Sequence, residues 1–300
     1  MRTAPPPAPA TIVSYNGTFM DKAQVAISPD DRGFLFADGV YEVVRSYDGI
    51  LFCCDDHLDR LEYGLSGLRM PDVDRDELKH TAASLLQKNG LQHGSASVYI
   101  QITRGSAPRS HRFPPEGTPL TRYMEARRFT PDSDVQANGG SAILVTDERW
   151  ARCDLKTIGL LPNTLAHQKA CEVGATEALF VRDGAVLEGS HSNVFFVQGN
   201  TLMTAPVSNS ILAGITRMAV LELAGDLKIP VTLEARLEED LPRCRESFLT
   251  STTLEIAPIS RIGSRLVGDG VPGSLTRRLQ QYFQQITRAA KEVKARKSTE

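Results

Sequence analysis

The segment Val40-Tyr41-Glu42-Val43-Val44-Arg45-Ser46 alternates its sides, meets Asp48-Gly49 and returns through Ile50-Leu51-Phe52. Asp-Gly between two alternating runs favours a two-residue turn of type I′, whose twist matches the strands it joins. A hairpin pairs its strands antiparallel, so the first part of the chain cannot be a purely parallel, doubly wound sheet. The same punctuation recurs at Tyr15-Asn16-Gly17 and, among a run of short strands in the second half, at Asp183-Gly184 and Gly199-Asn200. Helices lie between these turns. Leu58, Leu61, Leu65 and Leu68 recur at helical spacing behind an Asp55-Asp56 capping signal, and a second helix runs from Asp76 to Gln87 and stops at Asn89-Gly90. Further helices are predicted at Asn163 to Val173, Thr216 to Ala224 and Ser274 to about Val293, the last with Leu275, Leu279, Tyr282, Phe283 and Ile286 on one stripe. Ser97 to Thr103 returns to strand alternation, and Arg104-Gly105 closes it into a loop that carries Arg109, Ser110 and His111. Strands and helices mixed without a regular βαβ alternation indicate the α+β class.

A chain of 300 residues, 41% of them hydrophobic, exceeds what one compact domain usually needs, and the polar stretch Pro131 to Gly140 divides it. The expected layout is an extension over 1–12, a first domain over 13–130, a linker over 131–140 and a second domain over 141–300. The extension is rich in Pro and Ala with little to bury, which predicts disorder. A net charge of -2 favours neither phosphate backbones nor anionic lipid. With no apolar run of bilayer length and no signal-peptide layout, the expectation is a cytoplasmic protein without nucleic-acid or membrane partners. The five cysteines, two of them the neighbours Cys53 and Cys54, form no disulfide framework. Neither they nor the six histidines show ligand spacing, so no protein-bound metal is expected. The G-x-G-x-x-G of Gly268, Gly270 and Gly273 contains Pro272 and has no βαβ unit around it, and it reads as the turn into the last helix, capped by Ser274.

Lysine is scarce between Lys88 and Lys291, where only Lys156, Lys169 and Lys228 occur. Lys169 belongs to a polar helix face, and Lys228 follows a helix end, where a cation suits the dipole. Lys156 lies among apolar neighbours in Asp154-Leu155-Lys156-Thr157-Ile158, at a strand-like junction. An ammonium there either snorkels to water, the commoner fate, or is put to use. Glu188 stands between Ala185-Val186-Leu187 and Gly189-Ser190-His191-Ser192-Asn193. Taken alone, it caps a turn or is the negative partner of a buried cation. Gly214-Ile215-Thr216-Arg217 opens a helix whose unpaired amides suit a phosphate, as every helix start does to some degree. Thr250-Ser251-Thr252-Thr253 follows a strand and offers hydroxyls and turn amides to an anion or to water.

In chain order, these stretches resemble the fold-type IV pyridoxal-phosphate enzymes, and among them the D-amino acid aminotransferases. The resemblance rests on Asp38 to Val43, His57-Leu58-Asp59-Arg60-Leu61, Gln101 to Gly105 running into Pro108-Arg109-Ser110-His111, Arg152 to Leu161, Glu188 to Asn193, Gly214 to Arg217 and Thr250 to Thr253. It spans about Val13 to Thr287. It implies a two-domain fold, with a sandwich-like N-terminal domain and a C-terminal domain built on a strand-rich pseudo-barrel with flanking helices. The implied cofactor is pyridoxal 5'-phosphate. By resemblance, Lys156 is joined covalently to the cofactor and serves as catalytic base and acid, while Glu188 faces the pyridine nitrogen and keeps it protonated. Arg60, the amides of Ile215 and Thr216 and the hydroxyls of Ser251 and Thr252 correspond to a phosphate cup. Without the resemblance, Arg60 would pair at the surface with Asp56 or Glu62. Tyr41, Arg109 and His111 are similar to the trap for the α-carboxylate of a D-amino acid; otherwise Arg109 and His111 belong to a solvated loop. The implied reaction moves an amino group from a D-amino acid to a 2-oxo acid. The implied assembly is a homodimer with shared active sites, because the trap loop of such enzymes reaches the neighbouring subunit. Alternatives on the same fold are an L-branched-chain aminotransferase, an aminodeoxychorismate-lyase-like enzyme and a cofactor-binding protein without turnover. His191 departs from the small polar run that often follows the glutamate, which bears on packing beside the cofactor.

Overall fold

The computed structural model describes residues 11–297, with side chains as far as residue 288. The extension expected over 1–12 lies outside the described residues except at its end, where Ile12 already opens the first strand. Two compact units result, one running to Phe129 and including Thr157–Gly159, the other comprising Thr130–Lys156 and the chain from Leu160 onward.

The first unit contains β1 (Ile12–Tyr15), β2 (Thr18–Asp21), α1 (Arg32–Phe36), β3 (Gly39–Tyr47), β4 (Ile50–Leu51), α2 (Cys54–Gly67), α3 (Arg75–Lys88), β5 (Ser95–Thr103) and β6 (Thr121–Arg128). They form a six-stranded sheet in the order β2-β1-β6-β5-β3-β4, every neighbour antiparallel. The β3–β4 turn has Asp48 and Gly49 at φ 51° and 78°, the two positive values that a type I′ turn requires. Val40 and Val44 of β3 and Val98, Ile100 and Ile102 of β5 point to one face, where they meet Leu58, Leu61 and Leu65 of α2 and Leu78, Leu85 and Leu86 of α3. Each such buried side chain contributes roughly 1.5–3 kcal/mol relative to exposure. The start of α2 corrects the sequence reading. Its N-cap is Cys53, left-handed and without a side-chain cap bond, and Asp55 and Asp56 lie in the first turn, where they act on the helix dipole. Helix α3 is capped by Asp74, which accepts from the amides of Asp76 and Glu77 at 2.9 and 3.0 Å. Asn89 ends it, donating to Leu85 O and Ile12 O while accepting from the Ile12 amide, and so ties β1 to the helix.

The second unit contains α4 (Ser133–Asn138), β7 (Gly140–Thr146), α5 (Leu161–Glu172), β8 (Glu177–Arg182), β9 (Ala185–Gly189), β10 (Asn193–Gln198), β11 (Thr201–Thr204), α6 (Ile215–Asp226), β12 (Val231–Leu233), β13 (Arg236–Leu237), β14 (Glu246–Ser251), β15 (Glu255–Ile262), β16 (Arg265–Leu266) and α7 (Ser274–Lys297). The polar stretch over 131–140 is thus not an irregular linker. Asp132 caps α4 within it, and Gly140 already begins β7. The ten-stranded sheet runs β12-β11-β10-β14-β15-β7-β8-β9-β13, with β16 on β15. It is mixed, since β7 lies parallel to β8 and β15, and β11 parallel to β12. Parallel neighbours need a crossover, and α5 supplies it for β7 and β8 as α6 does for β11 and β12. These are two local βαβ units that the sequence's irregular alternation did not disclose. The sheet's core gathers Leu179, Val194, Phe196, Leu249, Ala257 and Ile259, while Ala166 and Ala170 let α5 lie close on Ala178 and Phe180. The start of α7 is capped from a distance. Glu246 of β14 accepts from the amides of Leu275 and Thr276 at 3.0 and 2.7 Å, the role expected of Ser274. Among the described residues, no helix is long and apolar enough to cross a membrane.

Candidate active site

Strand β9 alternates, so Val186 and Glu188 face inward together, and Glu188 is 4% exposed. An inward carboxylate needs partners. Glu188 receives a charge-assisted hydrogen bond from Nη1 of Arg149, another at 3.0 Å from Nδ2 of Asn193, and the amide of Leu212 at 3.1 Å. Arg149 is itself shared. Its Nε and Nη2 each donate at 2.9 Å to Asp147, which also takes Nη2 of Arg182 at 2.9 Å, and its guanidinium lies 4.2 Å from the centre of the Phe180 ring. Burial therefore pushes the Glu188 carboxyl up to about 7 although Arg149 and the Leu212 amide pull it down, and the charge of Asp147 adds to the rise. The carboxylate remains ready for a further positive partner. Glu188 is neither a turn cap nor solvated. Lys156 is half-buried between buried Leu155 and Thr157.

The Nδ2 of Asn193 also donates at 2.9 Å to Leu212 O, just before α6. Gly214 is the N-cap of α6 and brings no side-chain cap to the amides of Ile215 and Thr216. A Cβ there would stand 2.0 Å from the Asn193 Oδ1, so only glycine allows the helix start to come this close to the residue that holds Glu188. Asn193 pairs across strands with Thr250, whose buried hydroxyl has no partner among the described residues. Beyond it, the Ser251 hydroxyl accepts from the Leu254 amide at 3.0 Å and meets the Thr253 hydroxyl at 3.3 Å, while Thr252 sits half-buried in the turn. An uncapped helix start, an unmatched buried hydroxyl and a hydroxyl-rich turn suit an anion.

In the first unit, Glu42 occupies the inward face of β3 between Val40 and Val44 and is fully buried. Arg60 and His57, three residues apart on α2, both reach it. Nε and Nη2 of Arg60 donate to the two carboxylate oxygens at 2.7 and 2.8 Å, and Nδ1 of His57 lies 2.8 Å from Oε2. Burial would raise the Glu42 pKa, but Arg60 and His57 outweigh it and bring it to about 2. Arg60 thus turns inward to Glu42, its side chain 9% exposed, where a surface pair was the alternative. Tyr41, on the opposite face of β3, stands against Tyr99 with ring centres 5.7 Å apart. Arg109 and His111 are brought together elsewhere, on Phe36 at the end of α1, at 5.3 and 5.6 Å from its ring centre. Both are exposed. Their loop is held from below. Arg32 donates to Ser110 O and Arg112 O at 2.8 and 3.2 Å while binding Asp38, and Asp38 also receives Nε and Nη2 of Arg104 at 2.8 and 3.0 Å.

Sequence reasoning missed Glu42, His57, Arg149 and Asn193. For Glu42 a signal existed, a carboxylate at an inward position of an alternating strand. Arg149 gives none, because it lies in irregular chain after β7 and its partner Glu188 is 39 residues further on. His167, Glu177 and His191, far apart in sequence, offer donor atoms within 4.8 Å of one another, a grouping that no spacing rule discloses.

The profile of the family "amino-transferase class IV" matches residues 39–262. A D-alanine aminotransferase of Bacillus licheniformis is 40% identical over 276 residues, covering 91% of this chain and 95% of that protein. One of Staphylococcus haemolyticus is 39% identical over 275 residues, covering 91% and 96%. Among solved structures, the branched-chain amino acid aminotransferase of Escherichia coli superposes with a TM-score of 0.86 at 25% identity, covering 93% of this chain and 95% of that one. The fold is therefore that of the type IV aminotransferases, α+β in two domains.

Proposed function

This chain belongs to the class IV aminotransferases, and on that premise we propose that it transfers the amino group of a D-amino acid, such as D-alanine, to a 2-oxo acid such as 2-oxoglutarate or pyruvate. The sequence relatives support the D-amino acid reading, at 40% and 39% identity against 25% for the branched-chain enzyme. Pyridoxal 5'-phosphate, the family's cofactor, supplies an aldehyde that an amine can join and a ring that accepts an electron pair. The residues of the second unit fit such a group. A buried carboxylate short of positive charge suits a protonated ring nitrogen, and the uncapped start of α6 beside the unmatched Thr250 hydroxyl suits a phosphate.

Lys156 is the residue proposed to carry the cofactor, and its Nζ is the base that accepts the α-proton of the substrate and then returns it. Glu188 holds negative charge at Oε1 and Oε2, where Arg149, Asn193 and the Leu212 amide fix its orientation. The amides of Ile215 and Thr216, with Ser251 and Thr252, are proposed to bind the phosphate, a role that the resemblance also gives Arg60. Arg109 takes the substrate carboxylate through two parallel hydrogen bonds, and Tyr41 and His111 orient it. With that carboxylate and the amino nitrogen both fixed, Lys156 can reach the α-hydrogen of one enantiomer only.

The observation that carries this reading is the buried, undercompensated Glu188 on the same unit as Lys156. Purified protein should be yellow, lose that colour on borohydride treatment and produce pyruvate from D-alanine but not from L-alanine. A colourless protein that does not take up the cofactor would sink the reading, and turnover of L-leucine in preference to D-alanine would replace it with the branched-chain alternative. The exposed position of Arg109 and His111 supports a homodimer in which this loop serves the neighbouring subunit. Light scattering of a fully active monomer would refute the dimer. A cytoplasmic location accords with the same reading.

A further inference from the structure

Helix α5, the start of β8 and the turn between β9 and β10 bring together His167, Glu177 and His191. Glu177 is fully buried, yet the side chains of His167 and His191 remain 41% and 43% exposed. The Nδ1 of His191 lies 3.1 Å from Oε2 of Glu177, and the Nδ1 of His167 lies 3.9 Å from Oε1. The two rings meet edge to face at 4.8 Å. We propose that His167, Glu177 and His191 form a binding site for one divalent transition-metal ion of the zinc, cobalt or nickel class. The site adjoins the proposed cofactor residues, since the charge of Lys156 is felt at His191, but metal uptake is measured apart from turnover.

Three observations lead there. First, the spacing is close to what a metal imposes, since a tetrahedral ion with bonds of about 2.0–2.2 Å holds its ligand atoms about 3.3–3.6 Å apart. The imidazoles, partly open to water, need move by no more than about an ångström and a half to meet that spacing, His191 exchanging the contact of its Nδ1 with the Ser190 hydroxyl, at 3.1 Å, for the metal. Second, the carboxylate is fixed in advance. Its Oε1 accepts from the amides of Ala178 and Ser190 at 2.9 and 3.1 Å and from the Ser190 hydroxyl, while Oε2 accepts from the Ser192 hydroxyl at 2.7 Å. Such outer contacts orient a ligating carboxylate and keep it deprotonated. Third, the Nδ1 of His167 is buried and without a hydrogen-bond partner among the described residues, although it points toward a carboxylate. A buried ring nitrogen left unmatched is costly, and a metal bond would satisfy it. Two imidazoles and one carboxylate favour zinc-like ions over calcium or magnesium, which prefer oxygen alone. The exposed side of the two rings leaves a fourth position for water.

The competing account is a plain ion pair between Glu177 and a protonated His191. Burial works against that proton, but Glu177 outweighs burial and raises the His191 pKa, while the charge of Lys156 opposes the rise; His167 faces the same carboxylate from α5. A metal must displace the proton, so affinity should climb with pH, whereas an ion pair takes up no metal at all.

The test uses the cofactor-loaded protein, without amino acid and carrying Cys171→Ser, because Cys171 is exposed four residues along α5 from His167. Zn2+ is titrated calorimetrically, and Co2+ is followed by its visible d–d bands. The expected result is one equivalent per chain, with affinity weakened at least about tenfold by His167→Ala and again by His191→Ser. The Co2+ bands should vanish in the double variant, while far-ultraviolet circular dichroism stays unchanged. Absence of saturable uptake, unchanged affinity in the double variant, or a loss confined to one histidine would each overturn the three-ligand site.

Discussion

Each unit buries a glutamate among hydrophobic side chains, and the two are left in opposite states. Glu42 is gripped at both oxygens by Arg60 and approached by His57, and its pKa is held near 2. Glu188 is hydrogen-bonded by one arginine, which Asp147 shares at two further nitrogens, and Arg217 acts on it by charge alone; burial outweighs them and raises the Glu188 pKa to about 7. Depth of burial does not set what a carboxylate can do. The number of cations committed to it does. Glu42 has all the positive charge it can use and braces β3 against α2, whereas Glu188 has a deficit that a cationic ring can fill.

Lys156→Ala gives the largest expected effect, a fall in turnover on the order of a thousandfold or more, read as pyruvate released from D-alanine. If Glu42→Ala were equally fatal to turnover while leaving stability intact, the division of labour between the two glutamates would be wrong. Next comes a matched pair. Glu42→Gln takes the carboxylate from Arg60 and His57 and should destabilise the fold by about 3–5 kcal/mol in urea. Glu188→Gln leaves Arg149 paired with Asp147, so it should cost about 1 kcal/mol or less in stability but on the order of a hundredfold in kcat. Equal destabilisation by the two would erase the contrast. Arg109→Ala removes a hydrogen-bond partner from neither glutamate and should raise KM for D-alanine about ten- to a hundredfold, the value of a charge-assisted pair, in steady-state kinetics.

The smallest effect is in pH. In cofactor-free protein, the folded chain keeps a proton on Glu188 up to about 7 that the unfolded chain loses near 4.5. The folded state therefore binds more protons in that window, and this group lowers stability as pH rises from about 4.5 to 7. Glu42 runs the other way, contributing stability above 4.5 that is lost as pH falls toward 2. Urea midpoints of wild type and Glu188→Gln should diverge across the upper window and converge below it. A constant offset would show that Glu188 does not titrate there.

What the sequence disclosed was whatever depends on near neighbours. The leucine stripe of α2 and the Asp48-Gly49 turn are local, since a period and a dipeptide fix them, and the structure has both. Pairings across elements were hidden. Arg149 and Glu188 are 39 residues apart and meet only because β8 and β9 fold back beside the segment after β7. The cap of α7 comes from Glu246, not from Ser274 next to it, because a carboxylate at the start of β14 reaches two amides at once. The stretch over 131–140 is polar and still helical, because Asp132 supplies a cap that polarity alone does not reveal. His167 and His191 follow no spacing rule, since one lies on a helix and the other in a turn.

The side chain of Asn193 touches both the acid at 188 and the carbonyl of Leu212, with no room at 214 for even a methyl group between it and the helix start. One short amide thereby works as a gauge block between an acidic end and an anion-seeking end. On the proposed reading, a ring-and-phosphate ligand that engages both ends has to span this contact.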